Sequence, residues 1–555
     1  MKTYRIFAHI EEKCATLMKE RKQIFKDTDT SILDLVERTL RDNWNAPAYT
    51  DYGTDINYTF GDVAKKIASL HQLYADLGIK TGDKIALCDK NSSNWAVSFL
   101  SVLTYGAVAV PILPDFNAEQ IQNIFEHSEA KLMIGRADAQ TVTPILDIVS
   151  WTMADGSHSI NDYDNSDLTA GNLKYFRENA DDLCLMSYTS GSTGRSKGVM
   201  LPYRSIWSNV KFGDEVLGLA PGERTMAILP MAHMYGFAFD FIYEFCAGCH
   251  VHFLTKTPSP AVVIKAFGDV KPSIVIAVPL IIEKIVTGKV FPTLRTPKMK
   301  AMLRLPFVKT LIYRKVRATL INAFGGNFYE VIIGGAAFSR EVEDFLRLID
   351  FPYTVGYGMT ECGPIIGYED WHRFAKHSCG KPAPRMEVKI DSADPENLAG
   401  EIITRGANVM LGYYKNPEET AAAIDADGWL HTGDLGTMDR DGNIFIRGRK
   451  KSMLLGANGQ NVYPEEIEDV ILSNTPFEET VVVQRGEKLV ALVYISDQEM
   501  QKQGLTKQSL TDSLDQYKRE VNALLPRFAN LSAYEIQEEE FQKTPKRSIR
   551  RYLYK

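Results

Sequence analysis

Apolar positions recur at helical spacing through residues 60–77, stop at Gly78 and the turn Thr81-Gly82-Asp83, and give way to the apolar run Lys84–Cys88. A period near 3.6 followed by a compact β-forming run predicts an amphipathic helix feeding a buried strand. Residues 273–278 and 330–333 read as further buried strands, and the Asp-, Asn-, Ser- and Gly-rich stretch 155–182 reads as a surface connection into a strand over 183–188. Residues 91–114 carry no charge, which is long enough to test as a membrane span. Ser98, Ser101, Thr104 and Gly106 interrupt the run, and Val108-Ala-Val-Pro is strand-like, so a buried helix entering a buried strand is expected instead. Strands alternating with helices imply an α/β architecture whose sheets are covered by helices. A Gly- and Lys-bearing turn over 447–459 then leads into a tail of α+β character, with paired strands at 480–483 and 489–495. The expected division is residues 1–447 and 448–555.

Composition narrows the function classes. A chain of 555 residues exceeds one ordinary core, and 45% apolar with 24% charged residues suits a soluble globular protein. The net charge of −7 lacks the basic footprint of a nucleic-acid protein. His9, Glu11 and Glu12 break the first apolar stretch, so no secretory leader is expected and the chain reads as cytoplasmic. Seven scattered cysteines then read as free thiols. Cys246-Ala-Gly-Cys249-His250 matches a haem-attachment spacing and, with His252, a zinc pattern. Without export, a buried turn and strand using cysteine as a small hydrophobe is the preferred reading.

The strongest chemical signal is the run 188–200, Tyr-Thr-Ser-Gly-Ser-Thr-Gly-Arg-Ser-Lys-Gly-Val-Met, following an apolar strand. Thr189, Ser190, Gly191, Ser192, Thr193 and Gly194 combine hydroxyl donors with glycines that let backbone N–H groups approach a phosphate, and Lys197 adds positive charge. The spacing differs from GxxxxGK[ST].

This run resembles the phosphate-loop signature of the adenylate-forming superfamily, and further segments resembling that superfamily follow in its order. They are Leu229-Pro-Met-Ala-His233-Met-Tyr-Gly236, Gly334-Gly335-Ala336, Gly356-Tyr357-Gly-Met-Thr360-Glu361, Gly428-Trp-Leu-His-Thr-Gly-Asp434, and Arg447-Gly-Arg449-Lys-Lys451 continuing to Val462-Tyr-Pro-Glu-Glu-Ile-Glu468. The resemblance covers about Ser31 to Arg551 and implies a large N-terminal domain of helix-covered sheets with a small β subdomain, plus a small mobile α+β C-terminal domain. It implies that ATP and a carboxylate form an acyl-adenylate, that CoA then takes the acyl group, and that Mg2+ assists on the phosphates. Gly335, Ala336 and Tyr357 are expected around adenine, Thr360 on phosphate, Glu361 on the metal, and Asp434 and Arg449 on the ribose. In isolation Glu361 would be a solvated loop acid and Asp434 a turn residue; the resemblance reverses both. His233 is expected to border the acyl pocket, with Phe237 as an aromatic gate. Lys451 resembles the hinge residue, and Gly459 lies in the loop expected to face the pantetheine arm.

The stretch 281–338 resembles the long-chain fatty acid CoA ligase branch, so the expected substrate is a fatty acid. A carrier-protein-loading acyl-AMP ligase, an aryl-CoA ligase and a non-catalytic binding module are the alternatives. Between Lys284 and Glu330 there are many basic residues and no acid. Such a face suits an anionic lipid surface, which would make the protein peripheral on the inner membrane, or CoA phosphates, or plain solvent; the sequence leaves these open. The superfamily's C-terminal lysine is missing: in Thr544-Pro-Lys546-Arg547-Ser548-Ile549, Ser548 occupies its position. Lys546 is the expected substitute, with Arg547 second.

Overall fold

The computed structural model describes residues 23–26, 30–139, 142–190, 196–455, 461–486, 488–543 and 549–554. Its largest sheet has seven strands, in the order Gly412–Tyr413, Ser196–Pro202, Leu183–Ser190, Val108–Pro111, Lys84–Cys88, Ala130–Gly135, Ile145–Asp147. The last five of these run parallel, and the hairpin 183–202 and Gly412–Tyr413 extend the sheet antiparallel.

The predicted helix–strand unit is present as Phe60–Asp76 followed by Lys84–Cys88. Thr59 and Asp62 form a capping box at the helix start, which satisfies two otherwise orphaned N–H groups. The uncharged run 91–114 folds as the buried helix Ser93–Tyr105 and the buried strand Val108–Pro111. Ser92 caps the helix, and Gly106, at φ +82°, ends it. A Cβ there would lie 2.7 Å from the Phe176 ring, so both the left-handed backbone and the close contact require glycine. No described helix is long and apolar enough to cross a membrane.

A second sheet pairs Asn57–Thr59, Pro47–Tyr52, His250–Leu254 and Arg224–Ala227. Here the Cys-x-x-Cys-His segment resolves into ordinary packing. Cys246 and Cys249 are buried, His250 meets the Thr50 hydroxyl at 2.8 Å, and His252 meets the Thr225 carbonyl at 3.1 Å. A third sheet is parallel, Val275–Ala277, Val331–Ile333, Tyr353–Val355, and an antiparallel one holds Met386–Asp391, Gly400–Gly406, Leu430–Met438 and Ile444–Arg449.

Buried apolar side chains from Phe25 to Ile444 form one contiguous core, and a separate core runs from Val462 to Tyr534. The second belongs to a smaller α+β domain, in which Glu479–Arg485, Lys488–Tyr494 and Leu531–Ile536 are covered by the helices Pro464–Asn474 and Lys507–Leu524. The two domains meet through charge. Arg340 reaches Glu466 and Asp469, both at 3.8 Å, and Arg447 reaches Glu466 at 3.4 Å. The sequence reading of 447–449 as part of a turn is corrected: these residues complete the strand Ile444–Arg449, pairing Arg449 with Asp434. The turn begins after them, where Ser452 N–H and Met453 N–H both donate to Arg449 O at 3.0 Å.

Candidate active site

Residues 189–190 and 196–200, read as part of the phosphate loop, extend a two-stranded ladder in which Thr189 lies opposite Lys197 and Ser190 opposite Ser196. Gly191, Ser192, Thr193 and Gly194 lie outside the described residues, as do Gly459, Lys546 and Ser548. The Lys197 ammonium pairs with Glu419 and sits 4.9 Å from the centre of the Tyr413 ring. The lysine holds the Glu419 carboxyl below the usual carboxylate range.

Tyr413 joins this hairpin to the next motif. It pairs with Val199 across the sheet, and its hydroxyl donates to Glu361 Oε1 at 2.9 Å. Thr360 and Glu361 open a buried 3-10 turn ending at Cys362, and the Glu361 carbonyl accepts from Met410 N–H at 2.9 Å. Gly363 follows at φ +60°, where a Cβ would lie 2.4 Å from Ser205 Oγ. Both the backbone angle and the contact exclude a larger residue, so Glu361 is carried on a fixed turn.

Asp434 is the best-determined carboxylate of the site. Tyr357 Oη donates to its Oδ2 at 2.6 Å, and Arg449 Nε lies 2.8 Å from its Oδ1. Burial pushes the Asp434 carboxyl above its ordinary range, with Arg449 and then Tyr357 pulling in the other direction. Arg449 is itself exposed, so the pair is open on one side to a polar ligand.

The Gly334-Gly335 turn leaves the strand Val331–Ile333 beside these groups, since Gly356 N–H donates to Ile333 O at 2.8 Å. Gly335 has φ +86°, with only Tyr235 and Val278 within 4 Å of a built Cβ; Gly335 and Ala336 are both exposed. Tyr235 Oη donates to Ile332 O at 3.0 Å and ties this turn to the His233 segment.

His233 caps the short helix Met234–Phe237, its Nδ1 accepting from Tyr235 N–H at 3.3 Å. A lone pair on Nδ1 means a neutral ring protonated at Nε2, suited to orienting a ligand. Phe237 points into the core rather than standing at an open mouth, 4.7 Å from Phe99 and 6.0 Å from Phe241 between ring centres. Lys451 is exposed, two residues past the strand end.

Three supporting residues escaped the sequence reading. Asn91 clamps the backbone before His233, donating to Leu229 O at 2.6 Å and accepting from Met231 N–H at 2.9 Å. Asp240 accepts from Ile228 N–H at 3.1 Å and Leu229 N–H at 3.0 Å. Tyr413 is the third. Only Asp240 left a signal in the sequence: it is a lone acid within the apolar run Ala238–Ile242.

Burial drives the carboxyls of Asp240 and neighbouring Glu244 far above their usual range, so the fold holds them protonated. A raised acid pKa means that the native state binds more protons than the unfolded chain. The stability these groups contribute is thus complete below pH ~4 and is lost as pH rises through the folded values. The double substitution Asp240→Asn/Glu244→Gln should flatten the decline of Tm between neutral and alkaline pH. Parallel Tm–pH curves for the two proteins would contradict this.

Comparison with known proteins places these segments. The family described as AMP-binding enzyme matches residues 36–414, and the AMP-binding enzyme C-terminal domain matches 451–554. A long-chain-fatty-acid–CoA ligase of Mycobacterium bovis is 28% identical over 487 residues, 80% of this chain and 78% of that protein. A 4-coumarate–CoA ligase of rice is 27% identical, covering 81% and 80% respectively. Among solved structures, an anthranilate CoA ligase in complex with anthranoyl-AMP superposes with a TM-score of 0.77, at 20% identity over 94% of this chain and 96% of that one. An O-succinylbenzoate CoA synthetase from Bacillus subtilis, with ATP and magnesium ion, gives a TM-score of 0.73 at 19% identity, covering 93% and 98%.

Proposed function

The chain belongs to the AMP-binding enzyme family as an adenylate-forming acyl- or aryl-CoA ligase, and we propose that its carboxylate substrate is a long-chain fatty acid. The fatty acid carboxylate attacks the α-phosphorus of ATP, giving acyl-adenylate and pyrophosphate. The CoA thiol then attacks the acyl carbon, and AMP leaves with the former C–O bond electrons.

One observation carries the adenylate-forming reading: Asp434 holds Tyr357 on one oxygen and Arg449 on the other, and Gly356, next to Tyr357, bonds to Ile333 where the Gly334-Gly335 turn begins. A buried carboxylate with an exposed guanidinium suits a ribose diol, which can donate to the first and accept from the second. In this reading Gly335, Ala336 and Tyr357 surround adenine. Residues 189–194, Lys197 and Thr360 hold the phosphates. The Glu361 carboxylate, oriented by the Tyr413 hydroxyl, would suit a Mg2+ that keeps most of its ligands from water and phosphate. When bound, that ion supplies charge neutralisation at the polyphosphate. His233 and the apolar wall behind it, including Phe237, receive the acyl group.

The domain division is taken at 447/448, Lys451 serves as the pivot between half-reactions, and the loop bearing Gly459 faces CoA. Relatives acting on long-chain fatty acids and on 4-coumarate are about equally similar. The deciding test is therefore CoA-dependent AMP formation with palmitate, 4-coumarate and benzoate in parallel. Preference for palmitate is expected, and preference for either aromatic acid overturns the assignment.

Lys546 is proposed to carry the positive charge that Ser548 cannot supply. Its flanks are anchored: Lys543 pairs with Ile549, and Arg551 with Glu468. Lys546→Ala should slow single-turnover adenylation by about 100-fold while leaving thioester formation from added acyl-adenylate near normal. Wild-type adenylation in that variant would remove Lys546 from the reaction.

A further inference from the structure

Between the adjacent parallel strands Val275–Ala277 and Val331–Ile333 the chain makes a long helical excursion. Its inner end adjoins the site, with Val278 beside Gly335. Its outer end is the turn between the helices Pro297–Met302 and Pro306–Ala323. There Leu305 is 57% exposed, Phe307 77% and Leu311 51%, and Phe307 is the most exposed large apolar side chain among the described residues. Phe307 and Leu311 are four apart on one helix face, while Ile312, Tyr313 and Val316 turn inward against the core. Three large apolar groups in seven residues at a projecting turn are not scattered surface residues.

The charge around them has one sign. No Asp or Glu occurs between Lys284 and Glu330. Lys298, Lys300, Arg304, Arg314 and Lys315 form no ion pair among the described residues, and all are exposed. Lys309 lies 5.6 Å from the Tyr313 ring. Bases elsewhere on the excursion are paired: Arg295 with Glu341, and Arg317 with Asp350 at 3.3 Å, while Glu283 accepts from Ser339 N–H. An apolar tip ringed by uncompensated cations has the form of an interfacial anchor. The side chains enter the acyl boundary and the bases meet anionic headgroups.

We propose that the turn formed by residues 304–315 docks the protein on the surface of an anionic lipid bilayer. Exposure and charge define this docking face whichever carboxylate the enzyme activates. Docking here would set the crossover that borders the site at the source of any membrane-dissolved substrate.

Full-length protein is tested by co-sedimentation with phosphatidylcholine vesicles that contain or lack phosphatidylglycerol, at low and high salt. Binding is expected only with phosphatidylglycerol, weakening with salt. Leu305→Ser/Phe307→Ser/Leu311→Ser and Arg304→Glu/Lys309→Glu/Lys315→Glu should each reduce partitioning by about tenfold or more. Adenylate formation in detergent solution should stay at the wild-type rate, showing that both variants are folded. Wild-type partitioning of the variants, or no binding by the parent protein, overturns the proposal. Concentration-dependent self-association of the parent that the serine variant abolishes would assign the face to a second copy and overturn it equally.

Discussion

Replacing Asp434 by alanine is expected to lower acyl-adenylate formation by about 100- to 1000-fold while leaving the protein folded. The carboxylate is buried, and its side-chain partners among the described residues are Tyr357 at 2.6 Å and Arg449 at 2.8 Å. Without it the Tyr357 hydroxyl and the guanidinium lose their common acceptor, and the ribose loses the group that fixes its orientation. Misplacing the α-phosphorus relative to the attacking carboxylate removes an interaction needed at the transition state, worth about 3–4 kcal/mol. Asp434→Asn retains an acceptor for Tyr357 but not the charge opposite Arg449, so an intermediate loss is expected. Because burial raises this carboxyl, the acid limb of the adenylation pH profile should lie higher than an ordinary carboxylate would give. Arg449→Leu, which removes the largest opposing influence, should move it higher still. Near-normal pyrophosphate release by a folded Asp434→Ala protein would remove Asp434 from the nucleotide site.

The sequence made the helix–strand units and the ordered motifs legible because both are local. Gly78 and the turn Thr81-Gly82-Asp83 announce an element end within a few positions, and Tyr357, Thr360 and Glu361 lie within one short segment. What it did not reveal depends on registers between distant segments. Thr189 and Lys197 read as loop residues because glycines and hydroxyls surround them; in the fold their backbones continue a ladder anchored by the buried pairs above it. Arg447–Arg449 read as turn because Gly448 is among them, yet the partner strand holding Asp434 keeps all three extended. Asn91 acts on a loop some 140 positions away, and no local pattern marks such a residue. Phe237 follows His233 at the expected spacing, but only packing decides that its ring faces Phe99 and Phe241.

Glu361 and Tyr413, 52 positions apart, give the second large effect. Glu361→Ala should reduce adenylate formation by about 100-fold or more, with the loss falling on kcat and on the magnesium requirement together. The carboxylate stands on a turn held by Gly363 and by the Met410 N–H bond to the Glu361 carbonyl. One oxygen accepts from Tyr413 at 2.9 Å, which orients the carboxylate. Burial first, and then Glu361, hold the Tyr413 phenol well above its usual range, so it remains a donor at neutral pH. Tyr413→Phe deletes only that hydrogen bond, keeping the ring under the Lys197 ammonium. It should therefore cost a smaller factor, about tenfold, and raise the magnesium concentration needed for half-maximal rate without changing the acyl preference. In Glu361→Ala the further change Tyr413→Phe should add little, since the hydroxyl then has nothing to orient. Independent, multiplicative losses in the double variant would show that Tyr413 acts on the reaction by another route.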